Sequence, residues 1–281
     1  MKTKKIIAGD IAYWDGSAVQ FVSKTAWNSS LGTPVGVVVI PSGMLPDGKA
    51  RILSLKAVDS NGNAVSYLEA MSWNSSVKSA LTWGDYNIDT PLTNYTKVPI
   101  TDNNDITTID INHGDYLPSD NFSGSIQSFV DPKAKYSQSK PINLIPSPYL
   151  GDDTTQNPAY CEIISDNNAL SDFNGLSNTQ TLIGLESDYE PANAAWNYID
   201  GASNLQWYLP AMGELGFMMV RLKEINDTLN MLGATSIFTH SDFWSSTEHC
   251  FRYAYYLYTY NGIVHYKHKH NLGYVRPFAV V

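Results

Sequence analysis

Histidine and tyrosine side chains, which can bind metals, exchange protons and make aromatic contacts, are concentrated near the C terminus. Residues 249–272 contain four of the six histidines and six of the 18 tyrosines of the chain. Basic residues accompany them, whereas no aspartate or glutamate follows Glu248. Tyrosine offers a large, rigid contact area at a low cost in conformational entropy, and it is enriched in adaptable protein-binding surfaces. The composition therefore predicts a contact surface in this segment.

A metal site is the alternative use of the sequence His265-Tyr266-Lys267-His268-Lys269-His270. On an extended strand, His268 and His270 would lie on one side, with room for Zn(II) or Cu(II). Two ligands make a poor site, and the flanking lysines repel a cation. We therefore expect neither a metal nor a cofactor here.

A β-hairpin is the element expected to position these side chains. Asn261-Gly262 separates two runs of aromatic and β-branched residues, and this dipeptide is typical of two-residue hairpin turns. Such a turn would place Tyr260 opposite Ile263 and Tyr258 opposite His265. One face would then carry Tyr256, Tyr258, Tyr260, Ile263, His265 and Lys267. The other face would carry Tyr255, Leu257, Thr259, Val264, Tyr266 and His268, and its Leu257 and Val264 predict that it packs on the core.

The remainder of the chain predicts an α+β protein. Residues 1–59 have the short β-branched and alternating runs of strands, including the run 36–40. Residues 60–165 lack periodicity and are rich in turn-forming residues, so we expect a loop-rich insertion in which aromatic residues such as Trp83 are buried. Residues 166–281 contain helices and the C-terminal strands. Two main helices are expected, one beginning at Pro191 and a longer one over 210–232, with an interruption near 226–228.

Composition excludes several classes of protein. The formal net charge is −9, which is unsuited to general nucleic-acid binding. No run of 18 apolar residues occurs, so no membrane span is expected. The basic start is followed too soon by Gly9-Asp10 for a signal peptide to be visible in this sequence. Cys161 and Cys250 are isolated from each other in sequence, which excludes zinc ribbons and dithiol redox sites but leaves a single disulfide open.

Three motifs taken together resemble a known family. They are WYLPAMGEL at 207–215, FWSSTE at 243–248 and YVRPF at 274–278. With the Tyr/His/Asn-rich stretch between the last two, they resemble the C-type-lectin-fold variable proteins that retroelements diversify in phages and bacteria. TPVGVVV at 33–39 and ARILSL at 50–55 extend the resemblance over most of the chain.

The resemblance implies a single C-type-lectin-like domain over 1–281, with the insertion at 60–165 and a variable region at 249–272. The C-terminal hairpin would be its display surface. The implied ligand-binding positions are His249, Cys250, Phe251, Arg252, Tyr253, Tyr256, Tyr258, Tyr260, Ile263, His265, Tyr266, His268, His270, Asn271 and Leu272. The implied fixed scaffold comprises Trp244, Ser245, Ser246, Glu248 and Arg276. Adenine-directed mutation of Asn codons does not yield lysine, so Lys267 is left out of the varied set.

The function implied by the resemblance is non-enzymatic binding of a host-surface protein or glycan. The protein would act in phage attachment or cell-surface recognition, on a phage tail or a cell surface. The oligomeric state stays open, a homo-oligomer included. The four histidines predict binding that changes with pH near neutrality.

The alternative function is an enzyme or metal-binding protein on a fold like that of formylglycine-generating enzymes. The paired-cysteine copper site of those enzymes is not matched by Cys161 and Cys250. No GxSxG, HExxH, P-loop or dinucleotide-binding glycine pattern occurs. Calcium-dependent sugar binding, another property of the lectin fold, is disfavoured because Glu190-Pro191-Ala192-Asn193 breaks the Glu-Pro-Asn pattern. We therefore expect a binding protein and not an enzyme.

Overall fold

Strands from both ends of the chain lie side by side in the largest sheet of the computed structural model, which describes residues 6–65, 81–84, 172–185, 189–237, 241–250, 253–259 and 263–281. In chain order the strands are β1 (Ile11–Trp14), β2 (Val19–Val22), β3 (Thr33–Ile40), β4 (Arg51–Ser54), β5 (Ala57–Val58), β6 (Ala64–Val65), β7 (Leu81–Thr82), β8 (Trp207–Tyr208), β9 (Asp242–Cys250), β10 (Tyr253–Tyr258), β11 (Ile263–His268), β12 (Leu272–Gly273) and β13 (Phe278–Val280). The α-helices are α1 (Gly175–Ile183), α2 (Glu190–Trp196), α3 (Met212–Val220) and α4 (Leu222–Met231). The described part of the chain therefore has the predicted α+β class.

The largest sheet has six antiparallel strands in the order β2-β1-β3-β4-β13-β8. The predicted run 36–40 lies within the buried part of β3, which extends over 35–40. β13 lies between β4 and β8, where Ala279 pairs with Ile52 on one side and with Trp207 on the other. The sheet thus joins the N-terminal strands to the last residues of the chain.

The motif WYLPAMGEL connects β8 to α3 through a buried carboxylate. Glu214 accepts hydrogen bonds from the Tyr208 hydroxyl at 2.7 Å and from the Ala211 N–H at 2.8 Å. Arg51 of β4 donates to the same carboxylate at 3.1 Å. The Ala211 contact satisfies an N–H group that has no partner inside the helix. The motif therefore fixes the start of α3 against the largest sheet.

The helices differ from the prediction in number and in the position of the break. The described residues contain four α-helices instead of two, because α1 precedes the predicted pair and the segment 210–232 is divided at Arg221. The break predicted near 226–228 is wrong. Asn226 lies within α4 and exchanges two hydrogen bonds with the backbone of Ile237, while the Thr228 hydroxyl donates to the Gly9 carbonyl at 2.7 Å. These polar side chains bind other segments and leave the helix intact.

β11, β10 and β9 form a second antiparallel sheet in that order, which leaves β11 at an edge. The face that carries Tyr255 and Leu257 packs in the same core as Phe243 of β9 and Met218 of α3. Both Tyr255 and Leu257 are almost fully buried. The predicted core face of the hairpin is therefore right for these two residues.

The predicted register of the hairpin is wrong by two residues. Ile263 lies opposite Tyr258, and His265 lies opposite Tyr256. β10 ends early because Thr259 binds Ser241 instead of β11: its N–H donates to the Ser241 carbonyl at 3.1 Å, and its hydroxyl accepts from the Ser241 N–H at 3.2 Å. The connection is therefore four residues long, 259–262. A shift of two preserves the alternation of side chains. Among the described side chains, Tyr256 contacts Lys267 and Tyr255 contacts Tyr266, as the predicted faces require.

The predicted insertion at 60–165 lies mostly outside the described residues, which include 60–65 and 81–84 of it. β7 pairs with β12, with Leu272 opposite Thr82 and Gly273 opposite Leu81. Trp83 is 1% exposed, as predicted. The first part of the predicted insertion thus contacts the C-terminal segment directly. Within the described ranges, no helix combines the length and hydrophobicity that a membrane span requires.

Candidate functional site

Four of the predicted binding residues form a continuous series of ring contacts, here called the aromatic cluster: Tyr253, Tyr266, His268 and His270. The ring of Tyr253 lies 5.3 Å from that of Tyr266 and 4.4 Å from that of His268. His268 in turn stacks on His270, with centroids 5.0 Å apart and planes 25° apart. Tyr266 also contacts buried Tyr255 at 6.1 Å. The cluster therefore extends from the core to His270, which is exposed.

The opposite face of the second sheet carries Tyr256 and Tyr258, both partly exposed. Tyr256 meets the buried Trp244 ring edge to face at 6.3 Å. Burial raises the pKa of Tyr256, and the negative charge of Asp242 adds to that shift. In the backbone register, Ile263 of β11 pairs with Tyr258 and His265 pairs with Tyr256.

Lys267 is bound between these aromatic residues and does not project into solvent. Its ammonium lies 4.5 Å from the Tyr256 ring and 4.6 Å from the Trp244 ring, within the range of cation–π attraction. It donates to the Asp242 carboxylate and to the Leu272 carbonyl, each at 2.7 Å. Burial lowers the pKa of Lys267, and Asp242 opposes this shift. Lys267 thus ties β11 to β9 and β12.

Lys269 follows β11 and is fully buried. Its ammonium forms an ion pair with the Glu248 carboxylate, and both side chains are 0% exposed. The same ammonium lies 5.0 Å over the Trp83 ring, and the Lys269 carbonyl accepts from the Trp83 N–H at 2.7 Å. The backbone and the side chain of Lys269 are therefore both held by the scaffold.

Two tryptophans join β7 to β9 beneath this face. The indole N–H of Trp83 donates to the Ser245 carbonyl at 2.7 Å, and that of Trp244 donates to the Leu81 carbonyl at 2.8 Å. Gly273 lies flat against Trp244, since a Cβ at position 273 would come within 2.7 Å of the indole nitrogen. A side chain at this position would therefore displace the indole or β12.

The motif FWSSTE supplies a buried polar layer between β9 and α1. The Thr247 hydroxyl donates to the Asp172 carboxylate at 2.8 Å and accepts from the Met212 N–H at 2.9 Å. Asn178 donates to the same carboxylate at 2.9 Å and to the Ser246 hydroxyl at 3.2 Å. Burial raises the pKa of Asp172, an effect that these hydrogen bonds oppose. The layer fixes β9 relative to the helices.

The residues predicted as scaffold are all buried. Trp244, Ser245, Ser246 and Glu248 are 0% exposed, and Arg276 is 1% exposed. Arg276 donates to the backbone carbonyls of Ser54 and Thr235, and burial lowers its pKa to about 9.

The predicted binding residues are divided between the two faces of the second sheet. The aromatic cluster lies on one face, while Tyr256 and Tyr258 lie on the other. Asn271 and Leu272 follow β11 and are exposed. His249 and Cys250 end β9, where Cys250 pairs with Tyr253. Phe251, Arg252 and Tyr260 lie outside the described residues.

Three residues that organise this region were absent from the predicted site: Asp242, Lys269 and Trp83. Asp242 binds Lys267, and the ring of Trp83 lies beneath the Lys269 ammonium. The signal in the sequence was the alternation of Lys267 and Lys269 with His268 and His270. Read as charge alone, that alternation suggests an exposed basic strand. The carboxylates that bind the two lysines lie more than 20 positions away, so local spacing does not identify them.

The ligand sets that the sequence suggested for a metal ion and for calcium can be compared with the described geometry. Among the described residues, no group of three or more His, Cys, Asp or Glu side chains could hold a metal ion. Glu190, from the motif compared with lectin calcium ligands, instead accepts hydrogen bonds from the N–H and the hydroxyl of Thr82, each at 3.1 Å. Its carboxylate supports β7.

Comparison with known proteins defines the fold but not a family. No family model matches the chain, and no curated protein matches it. A solved structure that resembles it is a fimbrial protein from Bacteroides ovatus, with a TM-score of 0.51 and 13% sequence identity. The match covers 98% of this chain and 49% of the fimbrial protein, so this chain spans about half the length of that protein. At this identity the similarity indicates a shared fold alone.

Proposed function

We propose that the protein is a non-enzymatic binding protein that presents the segment 249–272 to a protein or glycan on a cell surface. The observation that carries this proposal is the aromatic cluster, four contacting rings that end in an exposed imidazole at the edge of a sheet. Tyrosine and histidine rings of this kind provide contact area and hydrogen-bonding groups together. The fold similarity to a fimbrial protein supports a location on a cell surface.

Rigidity of the scaffold supports the same function. Lys267, Lys269 and the two tryptophans hold the segment from behind, so a ligand would meet side chains that are already ordered. Ordering side chains upon association costs roughly 0.5–1.5 kcal/mol for each flexible side chain. A preorganised surface avoids much of that cost.

The finer proposal is that the chain has a C-type lectin fold and belongs to the variable proteins diversified by retroelements, with phage attachment as one use. It is supported by the three motifs WYLPAMGEL, FWSSTE and YVRPF, whose residues are buried, apart from the partly buried Tyr274. The test is the nucleotide sequence around the gene. A reverse transcriptase gene with a near-copy of the 3′ end, differing at adenines, is expected, and a locus that lacks both would contradict this assignment.

Binding itself can be tested with fluorescently labelled protein on a panel of bacterial cells and on a glycan array. One variant combines Tyr253→Ser with His270→Ser, and a second combines Tyr256→Ser with Tyr258→Ser on the opposite face. Tyr13→Ser is the matched control, because Tyr13 packs on Trp27 in the largest sheet, at a ring distance of 5.6 Å.

We expect each double variant to lose at least tenfold in apparent affinity and the control to bind as the unmodified protein does. A folded double variant of each kind that binds unchanged would refute the proposal. So would an unmodified protein that binds no cell and no glycan. Loss in one double variant only would assign the ligand to one face of the sheet.

A further inference from the structure

The last part of the binding segment contains two largely buried lysines beside exposed residues. Lys269 is 0% exposed and the Lys267 side chain is 11% exposed, whereas His270, Asn271 and Leu272 are exposed. His268, between the two lysines, is partly exposed. Lysine is normally among the most exposed residue types and is almost never buried unless it is paired. Two paired lysines within three residues therefore mark a specific structural role.

The two lysines are bound at different points of the scaffold. Lys269 binds Glu248 near the end of β9 and lies over Trp83, while Lys267 binds Asp242 at the start of β9. Lys267 additionally donates to the Leu272 carbonyl, which closes the turn that follows β11. The two contacts together fix both the position and the rotation of the segment 266–272.

We propose that Lys267 and Lys269 are positioning residues, which bind the scaffold carboxylates Asp242 and Glu248 and so hold the segment in one conformation while His268, His270, Asn271 and Leu272 can be exchanged. This inference rests on the proposed function, because it specifies which residues of the binding segment determine its shape and which determine its ligand. It requires no particular ligand.

The first test is a saturation library at positions 267–272 displayed on yeast and sorted for resistance to protease, a measure of folding. Lysine is expected to dominate at 267 and 269, and many residue types are expected at 268, 270, 271 and 272. Equal tolerance at all six positions, or equal restriction, would overturn the proposal.

The second test separates positioning from a general contribution to stability. Lys267→Met keeps the aliphatic volume but removes the charge, Lys267→Arg keeps the charge, and His270→Met is the control at an exposed position. The readouts are hydrogen exchange of the amides of 266–272 and the NMR signals of the His268 ring. At a temperature where all variants are folded, Lys267→Met should raise exchange in this segment at least tenfold and shift the His268 signals.

Exchange in the largest sheet should stay unchanged, Lys267→Arg should restore most of the protection, and His270→Met should leave it intact. Uniform acceleration across both sheets would show a merely stabilising role and would overturn the proposal, as would unchanged exchange in 266–272. Neither test uses a ligand. Failure of the positioning proposal is therefore distinguishable from failure of the proposed function, which is measured on the cell and glycan panels.

Discussion

The two sheets of the molecule are specified by different interactions. In the largest sheet, β3 and β4 bury Val37, Val38, Ile52 and Leu53 with no exposed surface, and hydrophobic packing dominates. In the second sheet, β9 buries Ser245, Ser246, Thr247 and Glu248 to the same extent. Each of these polar groups in turn has a hydrogen-bond or ion-pair partner in another element.

The difference shows how directional polar contacts can hold a backbone in place beneath exposed side chains. Hydrophobic packing is non-directional and tolerates changes that conserve volume. Hydrogen bonds and buried ion pairs require particular partners at particular distances, and an unpaired member is costly. We therefore expect the buried polar contacts to hold the second sheet in register, and the exposed side chains to contribute little to that register.

The largest effect is expected from Glu248→Gln, which removes the negative charge from the buried Glu248–Lys269 ion pair. Loss of one member of a buried ion pair costs about 3–5 kcal/mol, so the free energy of unfolding should fall by that order. Urea denaturation followed by tryptophan fluorescence measures it. The control is Asp227→Asn, because the Lys223–Asp227 pair is 49% and 40% exposed and should contribute about 0–1 kcal/mol. Equal losses in the two variants would show that the buried ion pair of the second sheet contributes no more to stability than an exposed pair of α4.

A smaller loss is expected from Thr247→Val, which removes a hydroxyl that both donates to Asp172 and accepts from the Met212 N–H. Leaving buried partners unsatisfied should cost about 1–3 kcal/mol. Thr181→Val is the matched control, because the Thr181 hydroxyl is exposed and donates within α1. The same denaturation experiment compares them, and a Thr247→Val protein as stable as the control would contradict a structural role for the polar layer.

Sequence periodicity was sufficient for the elements whose side chains alternate locally. The buried run of β3, the proline near the start of α2 and the two faces of the hairpin follow from patterns within ten residues. The register of the hairpin did not follow, because Thr259 binds Ser241, 18 positions away. The division of the long helix at Arg221 was not predictable from periodicity either, because the helical spacing of apolar residues continues across Arg221.

Composition indicates where the candidate site lies, but it does not indicate how the candidate site is organised internally. A high density of tyrosine and histidine identifies 249–272, whereas the roles of Lys267 and Lys269 depend on Asp242 and Glu248. The contact between Asp172 and Thr247 spans 75 positions, and Trp83 reaches Ser245 across 162. Contacts between residues so far apart in sequence depend on the folded topology, and local residue patterns do not predict them.

Ile52→Val tests the largest sheet with a change that conserves shape. Removing one buried methylene group should lower the free energy of unfolding by about 0.5–1.5 kcal/mol. The amide and ring signals of His268 and His270 should stay where they are in the unmodified protein, because Ile52 packs in the core cluster of Val38 and Trp244, whereas Tyr266 packs against that of Leu53 and Tyr255. Two-dimensional NMR spectra recorded beside the denaturation curve check both statements. Shifted histidine signals would mean that the two sheets are coupled through the core.

The smallest effect is expected at the turn between β1 and β2 of the largest sheet. Its Asp15 carboxylate is exposed, unlike the buried carboxylates of Asp172 and Glu248. The N–H groups of Ala18 and Ser17 donate to Asp15 and lower its pKa to about 2. A carboxyl group with a lowered pKa stabilises the folded state above its ordinary pKa of 3.8, and this contribution is lost as the pH falls through about 2. Asp15→Asn should therefore flatten the dependence of stability on pH in that window and change nothing at neutral pH in the second sheet. Carboxyl-detected NMR titration measures the pKa directly, and a midpoint near 3.8 would show that the turn does not hold the carboxylate in solution.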